Sequence, residues 1–206
     1  MTNGAHWNRV YGDRDETDLT WFEEVPEPSL ALIRAHAPAG AVVDIGGGAS
    51  RLVDHLLADA YGPVVVLDLS ETALAAARTR LGDRAGDAEW IVADVTGWSP
   101  DRHFDLWHDR AVFHFLTDAA DRARYIAVMD AALGDGGIAV IGTFAQDGPE
   151  RCSGLPVQRY SPEALDAEIE SHAPGRFTLL ESRRHVHVTP GGTRQNFQFS
   201  VFRKGA

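Results

Sequence analysis

The chain has 206 residues, of which 44% are hydrophobic and 24% are charged, and 19 basic against 30 acidic side chains give a net charge of −11. This length suits one domain with a sizeable core. The acidic balance argues against a nucleic-acid partner, because phosphate contacts need a basic surface. The single cysteine, Cys152, excludes an internal disulfide. No apolar run reaches the length of a membrane span and the N-terminus lacks a signal-peptide core, so we expect a cytoplasmic protein without a membrane partner.

The first part of the chain, residues 1–26, is polar but contains four aromatic side chains: Trp7, Tyr11, Trp21 and Phe22. Such a segment either docks on the domain as a loosely packed arm or closes over a pocket as a lid. We therefore divide the chain into an N-terminal cap or lid segment, residues 1–26, and a single domain, residues 27–206.

The segment from residue 27 to residue 144 alternates between strand and helix patterns. A helix is predicted from Pro28-Ser29 to Pro38-Ala39-Gly40. Continuous apolar runs then predict parallel strands buried on both faces, each followed by a helical pattern. The predicted strands are 41–45, 63–68, 89–94, 104–109 and 138–144, and the predicted helical segments are 50–60, from Ser70 onward, 111–116 and 118–133, the last ending in a turn at 134–137.

The remaining residues predict a long loop, a helix and a hairpin. The Gly- and Pro-rich loop covers residues 145–160, and Ser161-Pro162-Glu163 opens a helix that ends near Pro174-Gly175. Two final strands, near 176–188 and 194–203, are joined by Pro190-Gly191-Gly192, and Phe197, Phe199 and Val201 alternate with polar residues in the last strand. The order of elements predicts an α/β fold whose mostly parallel sheet has helices on both faces and an antiparallel addition at the end.

The most informative stretch is Asp44-Ile45-Gly46-Gly47-Gly48, where a β-branched strand runs directly into three glycines and then a helix. Glycines at this position allow the backbone to approach a ligand, and the following helix N-terminus offers free N–H groups. The second and third strands also end in carboxylates, Asp68 and Asp94. Ligands in open α/β sheets bind at the carboxyl ends of the strands, so we expect these groups to share one rim.

These residues resemble the D-x-G-x-G-x-G loop and its companion acidic residues in class I S-adenosylmethionine-dependent methyltransferases. The resemblance covers most of the chain, with Gly136-Gly137 matching the turn before the fifth strand. It is strongest to small bacterial methyltransferases of unsettled substrate, and looser to thiopurine and protein-lysine methyltransferases. Ser50 departs from the third glycine that the family commonly has. The resemblance implies a Rossmann-like, seven-stranded, mostly parallel sheet with a C-terminal antiparallel hairpin.

The resemblance also implies a cofactor, S-adenosylmethionine, and roles for individual residues. Gly46 and Gly48 would lie against its methionine part, Asp68 would accept hydrogen bonds from the ribose hydroxyls, and Asp94 would accept one from the adenine amino group. Asp44 would order the glycine loop or contact the cofactor's amino group through water. The predicted cofactor-binding set is Asp44, Gly46, Gly47, Gly48, Asp68, Leu69, Asp94, Val95 and Trp21.

The end of the fourth strand and the long loop supply candidates for the methyl acceptor side. Methyl transfer needs a positioned nucleophile and, for some acceptors, removal of a proton. We expect catalytic roles for His108, Asp109 and His114, although Asp109 with Arg110 also fits a structural ion pair and His114 a core histidine. The predicted substrate-binding residues are Arg110, Arg151, Arg159 and Tyr160, while Cys152 is expected to be a packed thiol.

Several alternatives remain at this point. An NAD-dependent dehydrogenase would share the first strand and the acidic ribose partner, but its G-x-G-x-x-G pattern requires glycine where this chain has Arg51. A non-catalytic cofactor-binding protein is the other rival class. The acceptor is expected to be a small molecule, with a protein lysine as the alternative, and the protein a monomer or weak homodimer. His185 and His187 lie on one strand face, but without a third ligand of clear spacing we predict no metal site.

Overall fold

The computed structural model describes residues 4–206. Its strands are β1 (Val42–Ile45), β2 (Val64–Asp68), β3 (Ala88–Val92), β4 (Phe104–Arg110), β5 (Leu133–Phe144), β6 (Arg151–Cys152), β7 (Leu155–Pro156), β8 (Phe177–Val188) and β9 (Arg194–Lys204). Its α-helices are α1 (Gly4–Gly12), α2 (Ser29–His36), α3 (Leu52–Ala58), α4 (Glu71–Leu81), α5 (Ala119–Ala132) and α6 (Pro162–His172).

Seven of the strands form one sheet in the order β3-β2-β1-β4-β5-β9-β8. The pairings from β3 to β5 are parallel, whereas β9 runs antiparallel to both β5 and β8. The chain order reverses beside β1, so the carboxyl ends of β1 and β4 flank the crevice in which open α/β sheets bind ligands. The predicted seven-stranded, mostly parallel fold with a C-terminal antiparallel hairpin is confirmed.

Two hydrophobic cores lie on opposite faces of the sheet because successive strand residues point to opposite sides. Val43 and Trp107 pack with α5 and α6 in one core, and Val42 and Leu106 pack with α2 and α3 in the other. All four residues of β1 are buried, as a central parallel strand requires. This packing holds the rim of the sheet rigid on both sides.

Three helices begin at the capping residues that helix N-termini prefer. Ser70 Oγ accepts a hydrogen bond from the backbone N–H of Ala73 at 3.1 Å, and Ser161 Oγ does the same for Ala164 at 3.2 Å. Asp118 Oδ1 accepts from the N–H of Ala120 at 2.7 Å. The Ser70 cap was predicted from the sequence, and it places the start of α4 directly after the carboxyl end of β2.

The N-terminal segment contains a helix that its sequence did not predict. No residue of α1 is buried, so the stability of this short helix depends on contacts with the domain. Asn8 Oδ1 accepts hydrogen bonds from Ser70 Oγ at 2.8 Å and from the N–H of Thr72 at 3.2 Å. The segment is thereby anchored to the start of α4. Residues 1–3 of the predicted cap lie outside the described part of the chain.

Two predicted elements differ in detail. Residues 111–116 form only a short 3₁₀ turn, Phe113–Phe115, because Ala111 has a φ of 71°, in the left-handed region. The predicted turn at residues 134–137 lies within β5 as a bulge, because Leu133 pairs with Phe104 and Ile138 already pairs with Leu106.

The final strand, β9, is buried on both of its faces, whereas the alternating sequence pattern predicts one buried and one exposed face. The sheet order places β9 between β5 and β8, so Gln198 and Ser200 lie in the interior and need partners there. Gln198 Nε2 donates to Thr143 Oγ1 at 2.9 Å, and Ser200 Oγ donates to Gln198 Oε1 at 2.7 Å. Polar residues in this strand therefore do not mark a solvent face.

Candidate active site

A pocket opens at the carboxyl ends of β1, β2 and β4, under the N-terminal segment. It is lined by acidic residues at the strand ends, by the glycine turn and by aromatic side chains from both ends of the chain. Its lining includes Trp7, Tyr11, Trp21, Asp44, Gly46, Gly47, Asp68, Leu69, Asp94, Val95, Arg110, Phe115, Phe144, Cys152, Gln195 and Phe197. Most of the predicted cofactor-binding residues therefore meet in one place.

The glycine turn adopts a backbone that other residues rarely adopt. Gly46 has a φ of 64° and Gly48 a φ of 47°, and both lie in the region where a Cβ is strained. At Gly47 the reason is space, because a Cβ would lie 2.6 Å from both Asp44 Oδ2 and Val66 Cγ1. The three glycines therefore let the chain turn closely over the end of β1.

Asp68 is buried at the end of β2, beside the glycine turn. Its Oδ1 accepts from the N–H of Ser70 at 2.7 Å. Burial raises the pKa of Asp68 to about 7, and backbone N–H groups, with that of Ser70 foremost, oppose this rise only in part. A ligand that donates hydroxyl hydrogen bonds to this carboxylate would further stabilise its charged form.

Asp94 follows β3 and caps a short 3₁₀ turn. Its Oδ1 accepts from the backbone N–H of Thr96 at 2.9 Å and from Thr96 Oγ1 at 2.7 Å. Asp94 nevertheless lines the pocket, and the next residue, Val95, is buried beside it. The capping role and a contact with a ligand amino group are compatible, because a carboxylate has two oxygens.

Asp44 and His108 form a buried pair beneath the glycine turn. Their side chains meet at 2.7 Å between Asp44 Oδ1 and His108 Nδ1, and His108 Nε2 lies 2.8 Å from Ser29 Oγ. His108 lines the pocket, but both of its ring nitrogens have partners, and this geometry does not favour its predicted role as a proton acceptor for the substrate. Asp44 Oδ2 is buried without a hydrogen-bond partner among the described residues.

Asp109 points away from the pocket into the core. It accepts hydrogen bonds from the N–H groups of Val112 at 2.8 Å and Phe113 at 3.0 Å and from the hydroxyl of Tyr125 at 2.5 Å. Trp107 Nε1 donates to the same hydroxyl at 2.8 Å. Burial raises the pKa of Asp109 to about 6, and these bonds oppose the rise. Asp109 therefore shapes the turn after β4, and its predicted catalytic role is not supported.

His114 lies in the core and does not line the pocket. Its Nδ1 accepts the backbone N–H of Phe144 at 3.3 Å, so Nε2 carries the proton. Burial in the first place, and the nearby charge of Arg110, lower the pKa of His114 to about 3. The second predicted proton acceptor is therefore a packed neutral imidazole, the structural alternative stated from the sequence.

Arg110 is the only predicted substrate-binding residue that lines the pocket in the described structure. Its guanidinium lies 5.4 Å from the ring centre of Phe197 and donates from Nη1 to the carbonyl of Trp21 at 2.9 Å. Glu23 Oε1 lies 3.1 Å from its Nη2. Arg110 therefore links the end of β4 to the N-terminal segment above the pocket.

The other three predicted substrate-binding residues are used elsewhere. Arg151 donates to the carbonyl of Gly154, and Arg159 donates to the carbonyl of Gly148 at 3.1 Å, so both hold the 145–160 segment itself. Tyr160 is buried in a hydrophobic core. Cys152 is the residue of this segment that reaches the pocket, and burial raises the pKa of its thiol to about 11, as expected for a packed thiol.

Aromatic side chains from the N-terminal segment form the roof of the pocket. Trp7 packs edge to face against Trp21 at 5.9 Å and against Phe115 at 5.3 Å, and Tyr11 packs against Trp21 at 5.7 Å between ring centres. The Tyr11 hydroxyl lies against Gly48. Of the four aromatics noted in the sequence, Phe22 is the exception, because it lies under Arg51 at 5.4 Å on the outside.

The pocket residues that were not identified from the sequence include Phe144, Gln195 and Phe197. They belong to β5 and β9, which pair with Phe144 opposite Phe197. The sequence showed both as strand residues, but only the sheet order brings the start of β9 to the carboxyl end of β5. No local signal distinguishes them from other core aromatics.

The structure also brings a third polar group to the two histidines of β8. Glu23 Oε1 lies 2.8 Å from His187 Nδ1 and 3.7 Å from His185 Nε2. Among residues 4–206, these three form a group with the spacing of metal ligands. In the same part of the chain, no helix is long and apolar enough to cross a bilayer.

Comparison with known proteins gives a family match to the central part of the chain. Residues 42–137 match the family model of a methyltransferase domain. The chain is 27% identical over 115 residues to the mouse protein named eEF1A lysine and N-terminal methyltransferase, an alignment that covers 55% of this chain. The chain spans only 16% of the length of that curated relative.

Solved structures share the fold over nearly the whole chain. The 1,6-didemethyltoxoflavin-N1-methyltransferase of Burkholderia thailandensis, with bound 1,6-didemethyltoxoflavin and S-adenosylhomocysteine, has a TM-score of 0.79 at 24% identity, and the match covers 98% of this chain and 87% of that one. The N-methyltransferase NodS of Bradyrhizobium japonicum, with S-adenosylhomocysteine, has a TM-score of 0.75 at 18% identity with full coverage of both chains.

The raised pKa of Asp68 predicts a pH-dependent loss of stability. Between its ordinary pKa of 3.8 and about 7, Asp68 is ionised when unfolded but protonated when folded, so stability falls as the pH rises through this window. Asp68→Asn removes the charge. Without ligand, only the parent loses this stability as the pH rises. We therefore expect the unfolding free energy of Asp68→Asn, minus that of the parent, to increase by on the order of 1–4 kcal/mol between about pH 5 and about pH 8.

Urea denaturation at the two pH values measures this difference. The exposed Asp83→Asn is the control and should follow the parent at both pH values. If the difference in unfolding free energy between Asp68→Asn and the parent is the same at both pH values, Asp68 is already ionised in the folded protein at the lower pH.

Proposed function

We propose that this chain transfers a methyl group from S-adenosylmethionine to an oxygen, nitrogen or sulfur atom of a small molecule. The fold and the domain match agree with the predicted resemblance to class I S-adenosylmethionine-dependent methyltransferases. The observation that carries the proposal is the convergence of Asp68, Asp94 and the glycine turn at one pocket under an aromatic roof. Each group suits one part of the cofactor.

Asp68 is the group we assign to the ribose. It is buried at the carboxyl end of β2, beside the glycine turn, where a nucleoside cofactor of this fold places its hydroxyls. Backbone N–H groups offset only part of the effect of its burial, so a ligand that donates two hydroxyl hydrogen bonds would further stabilise the charged form. Asp94 and Val95 are assigned to the adenine ring, and the turn at Gly46 and Gly47 to the methionine part.

Binding of S-adenosylhomocysteine, the product form of the cofactor, tests this assignment by calorimetry. Asp68→Ala should weaken binding by about 1.5–3 kcal/mol, the range for a hydrogen bond to a charged group. Asp83 is an exposed carboxylate that does not line the pocket, so Asp83→Ala is the control and should bind like the parent. NAD should give no comparable heat. Micromolar NAD binding without any response to S-adenosylhomocysteine would instead favour a dehydrogenase.

We propose that residues 4–26, the described part of the predicted cap, form a lid over the cofactor. Trp7, Tyr11 and Trp21 line the pocket, while α1 buries no side chain of its own and is held by Asn8 at the start of α4. A segment with few buried contacts opens at low free-energy cost. Cofactor contacts with its aromatics would therefore shift it toward closure.

Hydrogen exchange with and without S-adenosylhomocysteine measures this closure. We expect amides of residues 5–25 to exchange at least several-fold more slowly in the complex, because the ligand adds contacts to a weakly held segment. Residues 162–172 of α6, remote from the pocket, serve as the internal reference and should not change. Equal exchange of residues 5–25 in both states would identify a docked arm.

The acceptor side of the pocket favours a flat, largely apolar molecule. Phe115, Phe144 and Phe197 offer ring faces and edges there, and Arg110 is the basic group beside them. The roof formed by the N-terminal segment leaves the pocket enclosed rather than open as a peptide groove. A protein lysine is the second candidate, supported by the partial match to the mouse lysine methyltransferase and by the acidic net charge.

We further propose that the enzyme acts mainly by positioning its reactants, because neither His108 nor His114 offers a free nitrogen to the pocket. Holding a nucleophile in line with the sulfonium methyl removes much of the barrier without a protein base. His108 then acts through Asp44, as a positioning residue for the glycine turn.

Labelled S-adenosylmethionine incubated with fractionated metabolites and, separately, with protein extract tests both acceptor classes. We expect label in small aromatic compounds. Label confined to the protein fraction would favour the lysine alternative. With an acceptor in hand, His114→Gln should retain turnover within about tenfold, whereas a loss of 10²–10⁴-fold would establish it as a base. Phe115→Leu, at the pocket wall, should raise the acceptor KM.

A further inference from the structure

We propose that Glu23, His185 and His187 form a binding site for a divalent first-row transition metal of the Zn²⁺ type. The site lies where the N-terminal segment meets β8, beside the pocket assigned to methyl transfer but outside it. It does not depend on the proposed function, because its three residues are not among those assigned to cofactor or acceptor.

The distances between the side chains fit a shared cation. Glu23 Oε1 lies 2.8 Å from His187 Nδ1 and 3.7 Å from His185 Nε2, and the three ligand atoms lie within 4.8 Å of one another. Ligands at about 2.0–2.2 Å from a tetrahedral Zn²⁺ are separated from each other by roughly 3.3 Å. Small side-chain rotations therefore bring all three atoms into coordination distance.

The hydrogen bonding of His187 indicates the same arrangement. Its Nε2 lies 2.8 Å from the carbonyl oxygen of Thr20 and must donate to it. A neutral ring then has a lone pair on Nδ1, and this lone pair faces the carboxylate of Glu23. Two acceptors at this distance require a cation between them, either a proton or a metal. A backbone carbonyl on the far nitrogen is the usual partner of a metal-binding histidine.

Arg110 lies close to the site but does not satisfy the Glu23 carboxylate. Its Nη2 is 3.1 Å from Glu23 Oε1, yet this nitrogen has no hydrogen-bond partner among the described residues, and neither has the buried Glu23 Oε2. The guanidinium donates instead from Nη1 to the carbonyl of Trp21. The positive charge nearby lowers the affinity for a cation, so we expect micromolar rather than nanomolar binding.

The donor set and the exposure of the site select the kind of metal. Two imidazoles and one carboxylate suit Zn²⁺, whereas Mg²⁺ and Ca²⁺ prefer oxygen ligands. The side chain of His185 is 28% exposed and that of His187 only 2%, and a surface groove lined by Val186, Val188 and Pro190 reaches the group. Water can therefore complete a four-coordinate site from the open side.

Calorimetric titration of the chelator-treated full chain with Zn²⁺ tests the proposal. We expect one Zn²⁺ per chain, with no comparable heat from Mg²⁺. Glu23→Gln and His185→Gln should each weaken binding by about tenfold or more, because each removes one ligand. Glu24→Gln and His103→Gln are the controls. They alter exposed residues of the same types that do not belong to the group, and they should bind Zn²⁺ like the parent.

Co²⁺ provides a second readout, because its visible absorption intensifies in a tetrahedral protein site. The parent should develop this band, and His185→Gln, whose ring is partly exposed and whose loss the fold tolerates, should not. Failure of the parent to bind Zn²⁺, or equal binding by all four variants, would overturn the proposal and leave an imidazolium–carboxylate ion pair. Neither result bears on S-adenosylhomocysteine binding, so this test and that of the proposed function fail independently.

Discussion

The burial of carboxylates at the carboxyl ends of parallel strands is the constraint on which the site depends. A buried carboxylate is costly unless it is hydrogen-bonded. Asp109 receives three such bonds at the end of β4, from Val112, Phe113 and Tyr125. Asp68, at the end of β2, accepts from backbone N–H groups of the residues around it, and burial still raises its pKa to about 7. What separates the two carboxylates is position, because Asp68 lines the pocket and Asp109 does not.

The N-terminal segment covers part of the open sheet rim above the pocket, and several of its attachments to the domain are polar. Asn8 reaches α4, Arg110 reaches the carbonyl of Trp21, and His187 reaches the carbonyl of Thr20. Such contacts are weaker than core packing and allow the segment to move without unfolding the domain. The same attachments bring Glu23 to β8, so the proposed metal group and the pocket roof share one segment.

The parts predicted from the sequence are those in which local pattern and chemistry coincide. Strands β1 to β5 and the glycine turn were predicted because buried parallel strands are continuous apolar runs and turns of positive φ require glycine. Asp68 and Asp94 were predicted because they end such strands. Helix α1 was missed because its polar composition obscured the i, i+3, i+4 spacing of Trp7, Val10 and Tyr11, which is the pattern of one helix face.

The positions of the predicted acceptor-side residues were harder to predict, because distant partners decide the direction of a side chain. His108 and His114 titrate near neutrality as free side chains, but Ser29 and Asp44 occupy both nitrogens of the first, and burial keeps the second neutral. Glu23 illustrates the converse. It lies more than 150 residues before His185 and His187, so sequence spacing gives no third ligand, and only the return of β8 to the N-terminal segment assembles the group. Chemistry that depends on contacts between the two ends of the chain becomes visible once the sheet order is known.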